Sequence, residues 1–516
     1  MSTHRGSNVL VQMLGMLLGL YAIFSVMLTD GNSISELCRI LMAAGFLFCA
    51  LSPRLGLFVW LISSGYMDLL KRLMVSTGRI SQMDLYFVLG IHPMMMAGLC
   101  VGVVLGALTG RLSLGGWHFK RLLAAGAIMV LAGLAAAREK GMSLSSILPE
   151  IANNGFYAVL IFLVPVLLPS LQDVLRTLRT LVIAYIPVAI YGIYQQYAGF
   201  QDFEIEYLMT GLSIEIKQLL SDEVRAFSTL NSPTALGFAS GACFTFALIL
   251  GGHRDQNTAR FHFPRLLAVA LAVLFVASWL SSTARSAVVV IPVALLARYC
   301  FSDAKRTRAF YITAVGGFVL LVVTSGWLLR VLPNAMDTMF ELAGGQGFAD
   351  QILRVGTYYE RLMGFSNVLA NPAAYTLTGM GAERGGDYND EFMNHDPLSG
   401  TLVRYGVVVL LFMIGVTFFL LRHVHRSVLK LPEGSLRNVG CLLLSVPLAY
   451  LVASVLQGTV FFTFPLNAFT WLCMGMVDAL GQTTPQRVQA AAAHRPRLQP
   501  VPQGCHPGRF RPVSRA

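Results

Sequence analysis

Apolar residues along this chain come in long continuous runs, not in alternation with polar ones. Fourteen runs read as membrane-spanning helices, at about Asn8–Leu28, Leu37–Leu51, Leu55–Leu70, Leu85–Thr109, Leu122–Ala137, Ile151–Leu168, Leu178–Tyr197, Pro233–Gly251, Leu266–Ser281, Ala287–Phe301, Tyr311–Leu329, Leu398–Leu421, Val439–Leu456 and Val460–Leu480. A helix needs about 20 residues to cross the hydrocarbon core, and unbroken runs favour helices over a membrane β-barrel. The second and third runs are parted only by Ser52-Pro53-Arg54, which predicts a broken or re-entrant element. The apolar pattern lapses from Arg330 to Pro397, a polar stretch ending in Asn394, His395 and Asp396. Asp396 as N-cap and Pro397 in the first turn predict a helix start there. The expected fold class is an all-α polytopic membrane protein of about 12–14 transmembrane helices with one large loop, 330–397.

Composition agrees. The 516 residues are 55% hydrophobic and 12% charged, with a mean hydropathy of +0.64. A soluble chain carries about 25% charged residues. Seven of the eight cysteines lie in or beside apolar runs, and neither metal-ligand spacing nor a disulfide framework appears, so no metal and no cofactor is expected. The first run lacks a small-residue cleavage site and is expected to be an uncleaved span.

The net charge of +12 carries orientation. Arg254, Arg260 and Arg265 share one loop, Arg298, Lys305, Arg306 and Arg308 a second, and Arg422, Arg426, Lys430 and Arg437 a third. Counting spans in order puts these and the Arg-rich tail on one side, which the positive-inside rule makes cytoplasmic. The loop 330–397, with four basic and nine acidic residues between Arg330 and Asp396, falls on the periplasmic side. Lys71, Arg72 and Arg79 break the rule, because the count places their short loop outside. No basic stripe interleaved with aromatics appears, which excludes nucleic acid as a partner. The tail 481–516 is rich in Pro, Gln, Ala and Arg and is expected to be disordered and basic.

Topology singles out one imidazole. Of ten histidines, His92 lies inside a span, where a packed position before Pro93 is the simpler reading. Eight others fall on the cytoplasmic side. Only His395 is left outside, at the edge of a span, and an ionisable residue placed there is a functional candidate. Three further outer segments carry cations: Arg225 in the run-in to Pro233, Arg285 in the turn Ser281–Ser286, and Arg354 with Arg361 in the large loop. Each has a plainer alternative. Arg285 is also placed to anchor in head groups, Arg225 to cap a loop, and Arg354 and Arg361 to line a solvated helix face. Asp387, Asp390 and Glu391 read as an exposed turn before a cation site.

In their order, these segments resemble the O-antigen ligase and polymerase superfamily of bacterial inner membranes. The resemblance covers roughly Arg225 to Leu421. It rests on Arg225-Ala226-Phe227-Ser228-Thr229-Leu230-Asn231-Ser232-Pro233, on Ser282-Thr283-Ala284-Arg285-Ser286, on Arg354 to Tyr358, on Pro372 with Gly379-Met380-Gly381, and on His395-Asp396. The chain departs from the family pattern at Ala284, Asp396 and Arg404. The resemblance implies a GT-C-like, metal-independent glycosyltransferase of the inner membrane with both termini cytoplasmic and a periplasmic active site. Its donor is an undecaprenyl-diphosphate-linked glycan, and its acceptor a glycan or lipid A-core. Membrane lipids and other polysaccharide assembly proteins are the further partners. Arg225 and Arg285, then Arg354 and Arg361, are expected to bind the diphosphate, with His395 as general base.

The implied division is 1–224 N-terminal spans, 225–421 catalytic region, 422–480 C-terminal spans and 481–516 tail. Polymerisation of repeat units is the leading expectation. Ligation to lipid A-core or protein is the close alternative, and a lipid-linked-sugar flippase the distant one. A flippase predicts internal repeats and charges within the spans, and beyond Arg39, Asp68 and His92 the runs carry few.

Overall fold

A computed structural model of the chain describes residues 33–76, 82–112, 120–130, 151–210, 224–252, 258–301, 397–456 and 464–493, with scattered positions between 303 and 377. The described residues are helical, and no strand occurs among them. The helices are α1 (Ser33–Leu51), α2 (Pro53–Ser63), α3 (Met67–Ser76), α4 (Gln82–Leu108), α5 (Leu160–Leu167), α6 (Leu171–Ala198), α7 (Asp202–Met209), α8 (Pro233–Gly251), α9 (Arg265–Ser281), α10 (Val290–Phe301), α11 (Pro397–Leu429), α12 (Ser435–Leu456) and α13 (Leu466–Ala493). A further helical stretch covers 120–130.

Among the described residues, six segments are long and apolar enough to cross a membrane: Phe87–Leu108, Leu171–Ala198, Pro233–Gly251, Ala259–Ser281, Gly406–Leu429 and Ser435–Ser454. They match the fourth, seventh, eighth, ninth, twelfth and thirteenth apolar runs. Helix ends follow local chemistry. Ser170 and Asp173 form a capping box at the start of α6, and Gly199, at φ 80°, ends that helix in the left-handed region. Ser232 caps α8 by accepting from the Ala235 amide at 3.2 Å, with Pro233 in the first turn. α11 begins at Pro397, as the Asp-Pro pair predicts, and bends at Gly406, whose φ of 83° suits a residue without a Cβ.

α8 is buried on nearly every face. It packs against α6, α9, α10 and α12, and Tyr450 of α12 donates to the Phe238 carbonyl at 2.8 Å. A buried helix with no polar face is what its uniformly apolar sequence requires. α6, by contrast, is half buried and α9 only one-third, so their outward sides present apolar surface.

Three expectations change. The run Leu55–Leu70 is not one span. α2 ends at Ser63, because the Ser63 and Ser64 hydroxyls take the carbonyls of Trp60 and Leu61 and Gly65 opens a turn. Lys71 and Arg72 therefore stand on a helix, α3, and not in a loop. Finally, α13 continues past Leu480 to Ala493, into the stretch read as disordered tail, where glutamine and alanine favour helix. The break at Ser52 and Pro53 is as the sequence predicts. His92 is packed in the core, with Nε2 2.9 Å from the Ser63 hydroxyl.

Candidate functional site

The segment from Val224 to Ser232 crosses the end of the bundle where α6 finishes and α8 starts. Apart from its caps it has no helix to satisfy its backbone, so side chains from other elements must do so. Gln195, near the end of α6, accepts from the amides of Phe227 at 3.1 Å and Ser228 at 2.6 Å. Ser228 sits at φ 55°, a left-handed conformation that a non-glycine residue adopts only when held there. Its hydroxyl donates to the Val188 carbonyl, and that of Thr229 to the Gly65 carbonyl, both at 2.5 Å.

The strongest clamp comes from Arg72. One of its terminal nitrogens donates to the carbonyls of Ser228 at 2.6 Å and Leu230 at 3.0 Å. The other donates to Glu204 at 2.8 Å, and the guanidinium lies 4.6 Å from the centre of the Phe227 ring. Glu204 also accepts from Gln195 at 2.7 Å. Arg72, Glu204 and Gln195 are all buried. Burial is the largest influence on the pair: it raises the Glu204 carboxyl and lowers the Arg72 guanidinium, each opposed by its partner. The charge-assisted bonds on both sides favour the ionised pair.

Above this clamp lies Arg225, half-buried. Its Nε donates to the Thr283 hydroxyl at 2.8 Å, and the Ala226 amide donates to the Ser281 carbonyl at 3.2 Å. The side-chain amide of Gln196 lies between the same two segments, within hydrogen-bond reach of the carbonyls of Val224 and Ser281. Thr283 is itself left-handed at φ 49°, and a short 3-10 helix starts two residues later at Arg285. The turn can approach α8 because position 237 is glycine. A Cβ there would stand 2.7 Å from the Ala284 Cβ and 2.8 Å from the Ser282 hydroxyl.

Two of the expected cation segments, those of Arg225 and Arg285, are thus joined at one end of the bundle. No protein-family model matches this chain, and no curated protein is significantly similar to it in sequence. Arg354, Arg361 and His395 lie outside the described residues. Among the described residues no group of three or more His, Cys, Asp or Glu stands close enough to hold a metal ion.

Arg72, Glu204 and Gln195 were not among the residues predicted from sequence. A signal for Arg72 existed. It is one of the cations that break the positive-inside count, and its charge is balanced by Glu204 instead of marking a cytoplasmic loop. Lys71 beside it is likewise paired, to Asp68 at 2.8 Å.

Proposed function

We propose that this chain is a metal-independent membrane glycosyltransferase. It polymerises undecaprenyl-diphosphate-linked oligosaccharide repeat units of a surface polysaccharide at the periplasmic face of a bacterial inner membrane. The observation that supports this reading is the bond between Arg225 and Thr283, which links the two arginine-bearing segments through their hydrogen-bonded backbones. Cleavage of a sugar–phosphate bond builds negative charge on the leaving diphosphate. Guanidinium groups held in place stabilise that charge without a metal. Arg225 and Arg285 take this role, assisted by Arg354 and Arg361 from the large loop. His395 accepts the proton of the attacking sugar hydroxyl, a task suited to an imidazole near neutral pH.

The rigid scaffold under Arg225 fits the demand. Preorganised charge lowers a barrier only if it does not have to move as the transition state forms. The test is transfer in vitro from a defined lipid-linked repeat unit, with and without chelator. Chain growth that persists with chelator and is lost in Arg225→Gln is expected. Absence of any glycan transfer by the folded wild-type protein to glycan or lipid A-core acceptors would end the enzyme reading.

A further inference from the structure

At the opposite ends of α6 and α9 lies a cavity of about 440 Å³, lined by Arg176, Arg179, Thr180, Ile183, Arg260 and Phe261. The four α6 residues recur at helical spacing and share one stripe. Arg260 comes from the 3-10 turn Ala259–Phe261 that precedes α9.

Each guanidinium rests near an aromatic ring. Arg176 lies 5.5 Å from the Phe58 ring centre, Arg179 5.4 Å from that of Phe263 and Arg260 4.7 Å from that of Phe261. A ring at this distance attracts the cation and leaves its N–H groups available as donors. Two internal bonds brace the group: Arg179 donates to the Arg260 carbonyl at 2.5 Å, and Arg260 to Gln172 at 3.3 Å. Among the described residues the lining holds three cations and no carboxylate. Three guanidiniums around one open space offer several charge-assisted donors to an anion with several acceptor oxygens.

The surroundings decide which anion. Ile183 is 49% exposed on the cavity wall, and Leu266 and Val269, at the start of α9, are 84% and 60% exposed. Only one-third of the apolar window within Ala259–Ser281 is buried. A lipid satisfies both features at once, whereas a free phosphate leaves the apolar wall unused. We propose that this cavity binds the phosphate headgroup of an anionic glycerophospholipid, whose acyl chains run along the outward surface of α6 and α9. The reading depends on the membrane-embedded fold and is independent of the glycosyltransferase assignment.

The experiment is native mass spectrometry of the full chain in mild detergent, titrated separately with phosphatidylglycerol, phosphatidylcholine and inorganic phosphate. Phosphatidylglycerol is expected to be retained in preference to the other two. The triple variant Arg176→Gln, Arg179→Gln, Arg260→Gln is expected to bind it on the order of a hundredfold more weakly. Arg308→Gln, an exposed arginine beyond α10, leaves retention unchanged. If the triple variant does not fold, the single Arg176→Gln, at the most accessible α6 position of the three cations, is expected to lower retention severalfold. Equal retention of phosphatidylcholine, displacement by inorganic phosphate at equal concentration, or undiminished binding by folded variants overturns the proposal.

Discussion

Arg72 and Glu204, 132 residues apart in the chain, meet at 2.8 Å with both side chains shut away from solvent. The pair does more than neutralise itself. The same guanidinium holds two carbonyls of the segment that carries Arg225, and the same carboxylate holds Gln195, which grips that segment's amides.

Loss of one member leaves the other charged and buried, which costs about 3–5 kcal/mol. Arg72→Gln is therefore expected to lower the unfolding temperature sharply, and the added change Glu204→Gln to recover part of the loss. The pH dependence follows. Burial already raises the Glu204 carboxyl above its usual 4.5, against the pull of Arg72. Without Arg72 the folded-state value climbs further while the unfolded-state value stays. The folded form then keeps a proton that the unfolded form has released, so stability falls as pH rises. Arg72→Gln is expected to be more stable at about pH 5 than at about pH 8, and the double variant to lose that difference. Intrinsic fluorescence, with Trp60 in the core, reads both.

The bond from Arg225 to Thr283 separates positioning from folding. Thr283→Val removes the acceptor hydroxyl and keeps the shape. It is expected to lower kcat for glycan transfer by roughly tenfold, the equivalent of one hydrogen bond of about 1 kcal/mol or slightly more, with the unfolding temperature nearly unchanged. Thr283→Gly also loses the hydroxyl but relaxes a left-handed backbone. Relief of about 1 kcal/mol there makes the glycine variant the more stable of the two, and activity still falls. A Thr283→Val protein with wild-type transfer kinetics would show that the contact plays no part in the reaction.

Gly237→Ala tests the close approach of α8 to the Arg285 turn. The added methyl stands under 3 Å from Ala284 and Ser282, so the turn must shift. A cost of about 1–3 kcal/mol is expected from overpacking, together with weakened transfer, because the displaced turn carries Thr283 away from Arg225. Thermal unfolding followed by a thiol-reactive fluorophore suits the measurement, since Cys38, Cys49, Cys243 and Cys473 are buried until the fold opens.

His395→Ala and Arg285→Ala are each expected to abolish glycan transfer while membrane insertion and yield stay normal. Polymer profiles in a deletion strain complemented with each variant provide the check. Near-normal polymer from both would remove the chemical roles assigned to them.

Much of the helical frame was legible because its signals are local. Ser232-Pro233 and Asp396-Pro397 each mark a helix start within a few residues, and α8 and α11 begin there. The capping box of Ser170 and Asp173 instead starts α6 at Leu171, ahead of the run read from Leu178. The break at Ser52-Pro53 was legible for the same reason. The break after Ser63 was not, since Ser63, Ser64 and Gly65 sit inside an apolar run that reads as one span. Gln195 lies near the end of α6 with no local signal of its role. Its partners are 9, 32 and 33 residues away, beyond the reach of any periodicity.

The sequence by itself determined that this is an all-helical chain with spans long and apolar enough for a membrane, because hydrocarbon thickness and backbone hydrogen bonding leave few other forms for such runs. It also singled out Arg225 and Arg285 as chemically suspect. Only the tertiary structure decided that their two segments lie together, and that Arg72 is a buried strut beneath them instead of a loop charge. Those facts depend on how helices distant in sequence cross and on which carbonyls their crossing leaves to be satisfied, and side-chain pattern along one chain carries neither.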